Sequence, residues 1–212
     1  MTVTLTFLCA TAPVPLTDTR LGDGPRSKRA VRGAAAAIAA LPRHSVAVRA
    51  PSTRCALTSY SLGLETTPEP GLRDLDHGRW YGSTVGDVAA GDPLGLSAWL
   101  TDPDATPHGG ESVRELCRRT AHWLSSVPPD AGHVLAVTEP AVVRASLVHA
   151  MAAPARAFWH LDVPSSVLSL TSRNGRWSWS TRLGYAAPVQ RWPSVVEPSP
   201  ADATRDESLV SL

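Results

Sequence analysis

Residues 133–151 read HVLAVTEPAVVRASLVHAM. His133 to Thr138 is a short apolar run, the pattern of a strand buried on both faces. Glu139 interrupts it, and Pro140 then stands at the first position of a helix through Met151, where its missing N–H costs nothing. A strand delivered straight into a helix is the repeating unit of α/β proteins. The same order recurs upstream. Val3 to Cys9 reads as a buried first strand, and Arg29 to Leu41 as an alanine-rich helix that stops before Pro42. Ser45 to Arg49 reads as a short strand, and Pro51 to Leu62 as a helix closed by Gly63.

Downstream, Val113, Leu116, Cys117, Thr120 and Leu124 recur at three- and four-residue steps, which predicts a helix over Glu111 to Val127, stopped by Pro128-Pro129. Ser166 to Ser172 and Trp177 to Leu183 read as a hairpin about Asn174-Gly175. Pro13 to Pro25 and Asp74 to Gly82 read as loops. The expected fold is therefore α/β: a three-layer sandwich, its sheet mostly parallel with helices on both faces, over residues 1–184. Residues 185–212, rich in Pro, Ser and acids without periodicity, are expected to form a disordered tail.

The chain has 212 residues, with Lys+Arg 20 against Asp+Glu 19 and a net charge of +1. Lys28 is its one lysine. Balanced charge argues against nucleic-acid and polybasic membrane surfaces. A hydrophobic content of 43% without a long apolar run excludes both a membrane-spanning and a wholly disordered chain. The start, MTVTLTFLCA, lacks the basic stretch and cleavage site of a leader, so a cytoplasmic protein is expected. Cys9, Cys55 and Cys117 show no metal spacing, and no glycine-rich loop matches a nucleotide fingerprint. Neither metal nor cofactor is implied. A small-molecule ligand is the expected partner, and an oligomer is left open.

In α/β sheets the ligand crevice lies beyond the carboxyl ends of the strands. Three segments leave strand ends here: Cys9-Ala10-Thr11-Ala12, Arg49 to Arg54, and Thr138-Glu139-Pro140. If the chain has a site, these segments should line it.

Four motifs carry a resemblance. Pro25-Arg26-Ser27 stands at a helix start, and Pro51-Ser52-Thr53-Arg54-Cys55-Ala56-Leu57-Thr58 follows a strand. Asp74 to Gly82 reads DLDHGRWYG, and Gly109-Gly110-Glu111-Ser112 opens a helix. In order and spacing these resemble the histidine phosphatase superfamily, which includes the cofactor-dependent phosphoglycerate mutases, from about residue 3 to 184. The resemblance implies a nucleophilic histidine in Arg-His-Gly at the first strand end and a second histidine in Ser-His-Gly at a later one. This chain has Cys9-Ala10-Thr11 and Thr138-Glu139-Pro140 there. Ala10 has no atom to attack phosphorus. Cys9 removes a cation, and Glu139 replaces a donor with an anion. Arg54 remains, and Asp74 stands where the family has an acidic proton donor. With Arg54 against Glu139 and Asp74, the site's charge is near −1. A carboxylate about 4 Å from a phosphate dianion is repelled by several kcal/mol at an effective dielectric near 20.

Two function classes follow. In the first, the inherited pocket runs acid–base chemistry on a small organic molecule, with secondary metabolism as one setting. Glu139 and Asp74 transfer protons there, and Arg54, Cys9, Ala10, Thr11, Thr138 and His108 contact substrate. In the second, the protein is a non-catalytic pseudophosphatase that binds a ligand or a protein. Glu139 bonded to Arg54 in a collapsed pocket favours the second. Each residue also has a plainer role. Glu139 can be a helix-end charge favoured by the dipole, Arg54 an unused pair, Cys9 an inert core thiol, His77 and His108 loop histidines, and Trp80 a packing residue.

Overall fold

In a computed structural model, residues 2–10, 16–22, 32, 43–161, 163 and 167–180 are described. A six-stranded sheet forms the centre, in the order β3-β2-β4-β1-β5-β6. Its strands are β1 (Thr2–Cys9), β2 (Val46–Arg49), β3 (Thr67–Pro68), β4 (His133–Thr138), β5 (Val167–Arg173) and β6 (Arg176–Ser180). The first four run parallel; β5 and β6 are antiparallel and form one edge. The fold is α/β, as the alternation implies. The hairpin turns at Asn174 and Gly175, both at positive φ, as such a turn requires.

β1 and β4 lie side by side at the middle of the sheet, and from Leu5 to Cys9 and from Val134 to Thr138 every residue is buried, the pattern of strands covered on both faces. The parallel register sets Cys9 opposite Thr138 and Arg49 opposite Val137. Two further bonds carry the alignment past the strands, from Ala10 N to the Thr138 carbonyl (3.0 Å) and from Ala50 N to the Val137 carbonyl (2.8 Å). Three strand ends therefore finish together.

The helices are α1 (Thr53–Ser61), α2 (Val85–Gly91), α3 (Pro93–Thr101), α4 (Val113–Ser126) and α5 (Pro140–Ala150). α4 begins two residues later than expected because Ser112 and Glu115 form a capping box that fixes its start. Glu111 is thus left outside the helix. α2 and α3 are additions to the expected elements. Thr84 with Asp87 caps α2, and Asp92 before Pro93 caps α3. α3 carries Trp99, whose ring lies 4.3 Å from that of Trp159 and 5.8 Å from that of Trp80. The Arg29–Leu41 helix apart from Arg32, both ends of the Pro13–Pro25 loop and the 185–212 tail lie outside the described residues.

Candidate active site at the strand ends

Glu139 follows β4 and is the N-cap residue of α5, yet its side chain caps nothing. Its backbone carbonyl accepts from Val142 N at 3.1 Å, while the carboxylate turns toward α1. There Oε1 accepts from Arg54 Nε at 3.0 Å, Ser52 Oγ at 3.3 Å and Cys55 Sγ at 3.4 Å. Glu139 thus stands at the helix end, where the dipole of α5 favours the anion, but its hydrogen-bond partners belong to another element. Arg54 also donates from Nη2 to the Gly22 carbonyl at 2.8 Å.

The pair is deeply buried, Arg54 at 8% and Glu139 at 1% exposure. Glu139 Oε2 is buried and has no hydrogen-bond partner among the described residues. Burial and the negative charge of Asp74 together push the Glu139 carboxyl up to about 7, against the pull of Arg54. Burial also pushes the Cys9 thiol up to about 12, helped by Glu139 and opposed by Arg144. Cys55 is raised well above its ordinary value by burial and by Glu139.

Arg144 was invisible as a site residue. It lies on α5 at 2% exposure, donates to the Leu161 carbonyl at 2.9 Å, and sits 5.2 Å from the centre of the Phe158 ring. Its charge acts on Cys9 and so brings a second cation to the region, beside Arg54. A lone arginine on an apolar helix face carries no sequence signal for this.

The structure differs from expectation at two further residues. Thr138, expected to contact substrate, donates its hydroxyl to the Leu72 carbonyl at 2.9 Å and so ties the strand end to a loop. His108, expected to flank the pocket, is buried among aromatic rings, 5.1 Å from Trp80 and 6.1 Å from Trp99. Its Nδ1 accepts from Gly110 N at 3.0 Å, because the Gly109-Gly110 turn folds the chain back beneath it. His77 shares this cluster, and burial pushes both imidazoles down to about 4. Trp80 packs there as expected. Cys9 and Ala10 are buried at the end of β1, and Thr11 lies outside the described residues.

Asp74 arrives on a loop that α4 grips. Arg119 forks onto the Glu111 carboxylate at 3.0 and 2.8 Å and bonds the carbonyls of Gly71, Arg73 and Asp74. Here the Gly-Gly-Glu-Ser motif acquires a structural role. A groove of about 700 Å³ lies elsewhere, lined in part by Arg73, Asp76, Gly110, Arg118 and Arg119, and by neither Arg54 nor Glu139. No helix among the described residues is long and apolar enough to cross a membrane.

The chain is 28% identical over 125 residues to a bifunctional protein of Mycobacterium tuberculosis, covering 58% of this chain and 34% of that one. It is also 28% identical over 144 residues to the glucosyl-3-phosphoglycerate phosphatase of Mycobacterium tuberculosis, covering 63% and 60%. The chain thus spans between about a third and three-fifths of these curated relatives. Among solved structures, the α-ribazole phosphatase from Shigella flexneri superposes with a TM-score of 0.71 at 17% identity, covering 84% of this chain and 94% of that one. A histidine-to-alanine mutant of phosphoserine phosphatase from Entamoeba histolytica, in complex with phosphoserine, superposes at 0.70 with 14% identity, covering 84% and 95%. The family model of the histidine phosphatase superfamily (branch 1) matches residues 16–182, and to that superfamily the chain belongs.

Proposed function

We propose that this histidine-phosphatase-fold protein transfers protons on a small organic molecule at its strand ends and forms no phosphohistidine. The observation that carries this is the Glu139 carboxyl: one oxygen is anchored by Arg54, the other is buried and unpartnered among the described residues, and its proton affinity lies near neutrality. A carboxyl held near pH 7 can both take and return a proton at working pH. Asp74 contributes by raising that affinity, the arrangement in which two neighbouring carboxyls divide acid and base roles. Arg54 orients Glu139 and supplies positive charge for a substrate carboxylate. At the end of β1, Ala10 offers no nucleophile for phosphoryl transfer.

Full-length protein is screened by thermal shift against phosphorylated and non-phosphorylated metabolites, and the ligands found are tested for solvent-deuterium incorporation. Exchange should occur in a non-phosphorylated ligand and vanish in Glu139→Gln, which keeps the shape and an acceptor for Arg54. A stoichiometric acid-labile phosphoenzyme would overturn the proposal.

A second reading, a ligand-binding pseudophosphatase, is favoured by the Arg54–Glu139 bond, which occupies the arginine a substrate would need. The phosphoserine complex of the histidine-to-alanine mutant supports it too, since that protein retains its ligand. Tight binding of a phosphorylated ligand without turnover or exchange would select it.

A further inference from the structure

The loop before Asp74 is pinned at four successive carbonyls. Thr138 Oγ donates to Leu72 from the end of β4. Arg119 holds the other three, its Nη1 reaching Gly71 at 2.8 Å and Arg73 at 3.0 Å, and its Nη2 reaching Asp74 at 3.4 Å. The remaining Nη2 hydrogen and the Nε hydrogen go to Glu111. Every N–H of the guanidinium is therefore engaged, in the rigid planar fork that only arginine provides. Glu111 also accepts from Arg73 Nη2 at 3.1 Å and is 9% exposed, so it cannot swing away freely. Trp123 seals the far side, close enough to Gly71 that a Cβ there would stand 2.8 Å from its ring.

We propose that Arg119 is a positioning residue: its grip on the 71–74 carbonyls, oriented by Glu111, sets where Asp74 stands relative to Glu139. This rests on the reading that Asp74 and Glu139 act together at the strand ends. A brace that merely stabilised the loop would make the same bonds, so the test needs a readout that stability alone does not move. The Glu139 titration supplies one, because position and charge act on it with opposite signs. Loss of a nearby cation raises a carboxyl's pKa, whereas retreat of a neighbouring carboxylate lowers it.

The full-length protein is labelled with glutamate carrying 13C at Cδ and titrated by NMR, and the Glu139 resonance is identified by its loss in Glu139→Gln. Asp74→Asn should lower the Glu139 midpoint by about one unit. Arg119→Lys keeps the charge but not the fork, and should lower it in the same direction and no further. On the Asp74→Asn background, Arg119→Lys should add nothing, since nothing remains to be positioned. Glu111→Asp, which keeps the charge but shortens the reach to the fork and leaves Arg119 in place, should give a smaller shift of the same sign and serves if the lysine variant does not fold. A midpoint unmoved or raised by both Arg119→Lys and Glu111→Asp, while Asp74→Asn lowers it, would reduce Arg119 to a brace. A midpoint unmoved by Asp74→Asn would sink the Asp74–Glu139 pairing itself, and the positioning role with it.

Discussion

At the scale of single residues, the site is decided by which side chains replace one another at the strand ends. Ala10→His restores a nucleophilic atom at the end of β1 but leaves Cys9 where a cation would help and Glu139 bonded to Arg54. The single variant should show no hydrolysis of an aryl phosphate above background. Cys9→Arg, Ala10→His and Glu139→His together should show a trace, and efficient turnover by the single variant would refute the electrostatic reasoning. Glu139 and Arg54 could be read as neighbours from the sequence, since both leave parallel strands that end together. The direction of the Glu139 side chain could not. Nothing in Thr138-Glu139-Pro140 says whether a carboxylate caps its own helix or crosses to the next, and that choice depends on where Ser52, Arg54 and Cys55 are packed. The same limit hid the Leu72 partner of Thr138.

At the scale of elements, two loops lock together across the chain. Glu111 N donates to the Asp76 carbonyl at 2.9 Å and Arg79 N to the His108 carbonyl at 2.9 Å. The contact is so close that a Cβ on Gly110 would run into the Asp76 carbonyl, and one on Gly78 into that of His108. Gly110→Ala should therefore cost about 2 kcal/mol or more in chemical denaturation, whereas Gly91→Ala, which meets open space within α2, should be neutral or stabilising. These motifs were legible as motifs, but their interlocking was not, because it is a contact between segments some thirty residues apart. α2 and α3 went unread for another reason: their capping residues, Thr84 with Asp87 and Asp92 before Pro93, were present in the sequence, but α3 has little amphipathic contrast between its faces.

At the scale of the whole molecule, buried titratable groups oppose one another. His77 and His108 fall from 6.5 to about 4 on folding, so the unfolded chain binds more protons and stability rises with pH between those values. Glu139 rises from 4.5 to about 7, so the folded chain binds more protons and stability falls as pH climbs through that window. Each group contributes a slope of about 1.4 kcal/mol per pH unit where it acts. Glu139→Gln removes the falling slope alone. Its stability relative to the parent should improve steadily from about pH 4.5 to 7 and level off outside that range, as read by denaturant midpoints across pH. A difference that stays flat would show that Glu139 does not titrate near neutrality. The α/β class itself was legible from alternation alone, since strand and helix periodicities depend on local sequence and not on side-chain direction.

Burial gives Cys9 and Cys55 a further use. Both thiols stay protonated at neutral pH, and the thiolate is the form that reacts. An alkylating reagent should leave the pair untouched in the native protein and modify them only when the strand ends separate from α1. The rate of modification then counts those openings. Any molecule that binds between β1, β4 and α1 slows the count, which offers a way to find the ligand before its chemistry is known.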